Sequence, residues 1–230
     1  DTPRGEVIGE SDQVTERRVD NDTGIRRTTR VVGVRTAGGR EFRSDHIILA
    51  TGHSAEDILH TLYDQGVYME GKSFALGLRI EHPQTAINKI QYRAAWDHPS
   101  LGSANYRLAD HDDTTGIGVY SFCMCPGGYV LSSGTETDGV VANGMSNYNR
   151  NSPFANSAIV ISIDHGKRFD ELFGGLSFRR SLETKAFDSV QREAEAGRAQ
   201  RRSIPAQRVV DFLAGKSGPT LPTSSPSGVA

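Results

Sequence analysis

Short runs rich in Val, Ile and Thr open the chain, each broken by turn residues, which is the pattern of antiparallel strands with one solvated face. Gly5–Gly9, Gln13–Val19, Arg26–Arg35 and Arg40–Phe42 are such runs, with Asp20–Gly24 and Gly38-Gly39 between them as turns. They predict a β-meander. His46–Ala50, reading HIILA, abandons the alternation and predicts a strand covered on both faces in the middle of a larger sheet. Helical spacing of Ile58, Leu59 and Leu62 predicts a helix over Ala55–Gln65, capped by Ser54 and stopped by Gly66. A strand follows over Phe74–Ile80, then a helix from Pro83 to Tyr92 and a polar loop over Trp96–Asp113 with an extended piece at Tyr106–Leu108. Further strands are expected at Ile117–Met124, Tyr129–Ser132, Val140–Asn143 and Ser157–Ile163, the last apolar enough for a sheet centre. Leu182, Ala186, Phe187, Val190 and Ala194 keep a 3.6 period within Phe178–Ala199, and a second helix is expected over Pro205–Leu213. Beyond Gly215 the Gly/Pro/Ser-rich tail has no apolar period to bury. The fold class is α+β, with mainly antiparallel strands.

Composition narrows the function classes. At 230 residues the chain can bury a core, and 26 basic against 28 acidic residues leave a net charge of −2, with no excess to attract nucleic acid or anionic lipid. No apolar run is long enough to cross a bilayer, and DTPRGEVIGE lacks the layout of a secretory signal. With two cysteines and no disulfide framework, the expected compartment is the cytoplasm, and the expected partner is a small-molecule substrate.

Four segments carry candidate chemistry. Ile47–Ala55 sets Ala50, Thr51, Gly52 and His53 between an apolar strand and a helix, where α/β proteins bind ligands; an ordinary tight turn explains it equally well. In FALGLRIEHPQ, alternation sends Arg79 and Glu81 to one face and His82 to the other. Facing a cavity, these residues would bind an anion and supply an acid/base group; on a surface they are only a weak ion pair. In SFCMCPGG, Cys123 and Cys125 share a strand face ahead of a Pro-Gly-Gly turn that offers backbone amides, either a redox or anion-contact site or two inert buried thiols. Two Cys do not complete a zinc site, and no metal is expected. Asn143-Gly144-Met145-Ser146 and Arg150 end a strand with ligand-binding or merely turn-forming residues. No GxGxxG, GxSxG, HExxH or Walker loop occurs.

ILATGHSAEDIL at 48–59, KSFALGLRIEHPQTAI at 72–87, YRL at 106–108, VYSFCMCPGGYV at 119–130, VANGMSNYNR at 141–150 and ANSAIVI at 155–161 together resemble an uncharacterised family of FAD-dependent dehydrogenases. The resemblance implies a glutathione-reductase-like FAD fold interrupted by a second, substrate-side domain. Residues 1–66 would then be part of the FAD-binding domain, 67–214 an insert domain and 215–230 a tail, the whole being the central portion of a longer oxidoreductase. It further implies FAD contacts at Ala50, Thr51, Gly52 and His53, NAD(P)H as a candidate electron donor, and a catalytic set of Arg79, His82, Cys123 and Cys125. His82 would act as acid/base, Arg79 would orient an anion, and the cysteines would form a dithiol relay. The rival readings are a non-catalytic β-rich binding module and a flavoenzyme acting on tRNA.

Overall fold

The computed structural model describes residues 6–12, 28–134, 136–197 and 203–216. The chain divides into two compact units, residues 1–70 and 71–230.

In the first unit β1 (Glu6–Asp12), β2 (Thr28–Arg35) and β3 (Glu41–Arg43) form an antiparallel meander in that order. The turn between β2 and β3 closes through Gly39 N–H donating to Thr36 O at 2.8 Å, and Arg35 pairs with Glu41 across it at 2.8 Å. The expected strand Gln13–Val19 and its turn at Asp20–Gly24 lie outside the described residues. His46–Ala50 departs from expectation: it joins no sheet, and Ile48 is 90% and Leu49 54% exposed. A strand of this composition needs a neighbour on each edge and cover on both faces. The described strands of this unit pair only with one another. Next comes α1 (Glu56–Asp64), whose N-cap is Ala55 without a side-chain cap. Ser54 does not cap it, and its Oγ lies 3.3 Å from His53 Nε2 instead. The helix ends as the sequence predicts, Gly66 N–H donating to Tyr63 O at 2.9 Å.

The second unit begins with β4 (Phe74–Pro83), which runs past the expected end at Ile80 and leads directly into α2 (Gln84–Tyr92) and a 3-10 turn at Arg93–Ala95. The extended piece expected at Tyr106–Leu108 appears instead as β5 (Ala109–Asp112), paired with β6 (Ile117–Cys125). Then follow β7 (Gly128–Ser132), β8 (Ala142–Ser146) and β9 (Phe154–Ile163). A short α3 (His165–Arg168), the long α4 (Gly174–Glu195) and α5 (Val209–Leu213) complete the unit. The main sheet is antiparallel, order β4-β9-β6-β5, and β7 and β8 form a separate two-stranded ribbon. The apolar β9 is therefore central, as its sequence predicts.

Val130 and Val140 from the ribbon region bury with Ile204, and Ala142, Ala186 and Phe187 pack against them, which seats α4 on the ribbon. At the other end of α4, Phe169 stacks on Phe74 with centroids 6.3 Å apart and tilts against His165 and Phe178. Among the described residues no helix is long and apolar enough to cross a membrane. The architecture is α+β, mixed helix and antiparallel sheet.

Candidate functional site

The β4–β9 ladder has no register shift, so the residues opposite one another fix which side chains share a face. Arg79 lies opposite Ala158, Glu81 opposite Asn156, and His82 opposite Ala155. Arg79, Glu81 and Asn156 therefore lie on one face, joined by Cys125, which also sits opposite Asn156. His82 lies on the other face with Ser157. The four catalytic candidates are thus not brought together: Arg79 and Cys125 are on one side of the sheet and His82 is on the other.

On the first face the Arg79 guanidinium is held by four acceptors. Its Nη1 donates to Asn156 Oδ1, to Cys123 O at 3.4 Å and, at 4.0 Å, toward Cys125 Sγ. Its Nη2 donates to Asn143 Oδ1 at 3.5 Å. Each of these acceptors is neutral, so the charge is fixed in place without being cancelled by them. The ribbon covers this side closely. A Cβ at Gly144 would stand 1.9 Å from Asn156 Oδ1 and 2.3 Å from Arg79 Nη1, so the guanidinium occupies the space a side chain would fill. Asn156 is fully buried, and its Nδ2 has no hydrogen-bond partner among the described residues.

The cysteines do not share a face. The β6–β9 register shifts between Phe122 and Cys125, and Cys123 takes φ 50°, so the strand bulges where alternation would have aligned the two thiols. Cys123 is exposed and Cys125 buried. The Cys125 thiol donates to Cys123 O at 3.3 Å, and burial, followed by the neighbouring Cys123, pushes its pKa up against the pull of Arg79. Nor does the Pro-Gly-Gly turn offer amides to a ligand. Pro126, Gly127 and Gly128 are buried, and Gly127 N–H donates to Gln84 Oε1 at 2.7 Å. At φ 50°, with Arg150 O 1.8 Å from where its Cβ would be, Gly127 has no room for any other residue. Gln84 Nε2 also donates to Asn88 Oδ1 at 2.8 Å and Ala104 O at 2.9 Å, tying the turn to α2 and to the following loop. Ser146 likewise serves the turn, its Oγ donating to Pro126 O at 2.7 Å.

On the second face His82 Nε2 lies 2.9 Å from Tyr106 Oη, the rings tilted with centroids 5.6 Å apart. Burial holds the His82 pKa below its ordinary value, although its own backbone and Glu81 pull the other way. Burial also raises the Tyr106 pKa, opposed by Ser157 and Arg79. Tyr106, Asn156 and Gln84 escaped the sequence reading as individual residues, although each lies in a segment that carries the family resemblance. Their roles depend on ladder register and on a loop returning to the sheet, which residue type alone does not reveal.

In the first unit Ala50, Thr51, Gly52 and His53 are exposed, irregular chain. Gly52 has φ 83° with nothing within 4 Å of where a Cβ would stand. Among the described residues there is no group of three His, Cys, Asp or Glu side chains placed to hold a metal ion.

An uncharacterized protein of Clostridium beijerinckii is 37% identical over 193 residues, which are 84% of this chain and 35% of that protein. The chain thus spans about a third of the length of that relative. Residues 73–229 match the family described as "FAD-dependent protein, C-terminal domain-like". Since that match covers more than half of its length, the chain belongs to this family of FAD-dependent proteins.

Proposed function

We propose that the chain is part of an FAD-dependent oxidoreductase acting on an anionic small molecule that Arg79 orients, with His82, on the opposite face of the sheet, outside that anion site. The observation that carries this is the Arg79 guanidinium, fixed by neutral acceptors beneath the β7–β8 ribbon and so left with charge to offer a ligand. Membership of an FAD-dependent family supports the flavin half of the reading. The residues present fit FAD at one point. The Thr51-Gly52-His53 turn, with its positive φ and open space, lets a ring or diphosphate approach the backbone closely. Bound FAD would supply the hydride- or electron-accepting chemistry, with NAD(P)H as the proposed donor. The dithiol relay has the least support, since the bulge turns the thiols apart and Cys125 is held protonated.

The test uses the full-length, flavin-loaded protein. Acetate and inorganic phosphate are titrated while the flavin absorbance is followed, in the wild type and in Arg79→Gln. A saturable spectral change in the wild type that Arg79→Gln loses is the expected result. An equal change in both would remove Arg79 from the reading, and a full-length protein that purifies without flavin colour would favour the binding module.

A further inference from the structure

We infer that Asn143 Oδ1 marks the place of one oxygen of a ligand carboxylate, and that a small monocarboxylate displaces the Asn143 side chain to reach Arg79 Nη2 and the Gly144 amide. The inference rests on the reading of Arg79 as the residue that orients an anion; it adds the class of anion and the side chain that must give way to it.

Two donors converge on Asn143 Oδ1. Gly144 N–H reaches it at 2.8 Å and Arg79 Nη2 at 3.5 Å. Both neighbours only donate, so the atom between them is the amide oxygen and not the amide nitrogen. A cationic donor and a backbone N–H aimed at one oxygen suit an oxyanion, yet the oxygen they meet belongs to a neutral amide. The two contacts are unequal. The Gly144 bond has ordinary length, whereas the Arg79 contact exceeds the usual range of about 2.7–3.2 Å, so the charged donor is the weakly used one. Nη1 is committed to Asn156 Oδ1 and Cys123 O, which keeps the guanidinium in place when Nη2 changes partner.

Asn143 is exposed, while Gly144 beside it is buried. The Asn143 side chain therefore has solvent to turn into, and one rotation about its Cα–Cβ bond releases both donors together. A carboxylate oxygen that takes the vacated position makes a charge-assisted bond to the guanidinium, about twice as strong as the neutral one it replaces. A further donor awaits the second oxygen. Asn156 Nδ2 belongs to a fully buried side chain and has no hydrogen-bond partner among the described residues. It sits on the amide that touches Arg79 Nη1 and lies against Gly144. Charge favours a monoanion: one guanidinium faces the group, and Glu81 brings an acidic side chain to the same sheet face, which opposes a second negative charge.

Binding is read on the full-length protein from the rise of its melting temperature with acetate or inorganic phosphate, at an ionic strength held constant with sodium chloride. The wild type is expected to respond to acetate at lower concentration than to phosphate, and Arg79→Gln to lose the acetate response. Asn143→Ala removes the competing oxygen and is expected to bind acetate about fivefold more tightly. Asn143→Asp sets a carboxylate on the two donors from within the chain and is expected to weaken acetate binding about tenfold or more. If Asn143→Asp does not fold, Asn143→Ala and the order of the two anions decide. Equal or weaker acetate binding by Asn143→Ala would overturn the inference. So would an undiminished response in a folded Asn143→Asp, or phosphate acting at lower concentration than acetate. Any of these, with the response still lost in Arg79→Gln, leaves Arg79 as the anion residue and removes only the carboxylate and the part given to Asn143. A wild type that responds to neither anion removes both.

Discussion

Two apolar runs of almost the same character meet opposite fates. His46–Ala50 and Ser157–Ile163 both read as strands that want cover on two faces. The second has it: β9 pairs along both edges, with β4 and β6, and Val160 and Ile163 are buried. The first has neither edge paired among the described residues, and Ile48 lies 90% exposed. The apolar run states a demand for partners; whether it becomes a strand depends on who supplies them. For β9, both suppliers lie in its own unit.

The largest expected effect comes from disturbing the cover over β9. Gly144→Val puts side-chain atoms where Arg79 and Asn156 already stand, so the ribbon must lift or the guanidinium must leave. A loss of about 3 kcal/mol or more in urea denaturation of the second unit is expected, which overpacking and the loss of a buried polar contact together account for. A loss below about 1 kcal/mol would mean the ribbon is loosely seated.

A matched pair of truncations sharpens the contrast between the runs. Val160→Ala removes two methyl groups from a site 8% exposed and is expected to cost about 2 kcal/mol. Ile48→Ala, truncating an exposed side chain, should change stability by no more than about 0.5 kcal/mol. Amide exchange should agree, with β9 protected and Ile47–Ala50 exchanging near the rate of unstructured chain. Equal costs for the two truncations would erase the distinction.

A pH series locates the weak point of the partnered sheet. Because burial lowers the His82 pKa below 6.5 in the folded state, the unfolded chain binds the proton more readily. The stabilising effect of the neutral ring is complete above about pH 6.5 and is lost as pH falls through the lowered folded value. Urea midpoints of the second unit should fall across that window, and His82→Gln should flatten the fall. A slope of opposite sign would mean His82 gains a proton on folding. The smallest effect is kinetic. In the native protein a thiol reagent should label Cys123 quickly and Cys125 slowly, the two becoming equal in urea.

Much of the second unit was legible in the sequence because its signals are local. The apolar density of β9 and the Pro83 boundary each reflect forces acting within a few residues. Register was less legible. Alternation places Arg79 and His82 on opposite faces, as the ladder does, but the same rule applied to Cys123 and Cys125 fails at the bulge, which inserts residues without changing their type. The Ser54 cap failed because Ala55 opens the helix, leaving Ser54 one residue too early. The Pro-Gly-Gly turn was recognised as a turn, yet its burial depends on Gln84, an ordinary polar residue whose importance comes from what folds back onto it.

Gln84 gives the second unit a mechanical property that its strands do not. One side-chain amide grips Ala104 with its nitrogen and Gly127 with its oxygen, so the two segments are linked like the ends of a short rod. Ala104 lies in the loop that leads to Tyr106, and Gly127 is two residues after Cys125. The loop that leads to Tyr106, beside the imidazole on one side of the sheet, and the turn that follows Cys125 on the other are thus joined by a link that lies outside the strands.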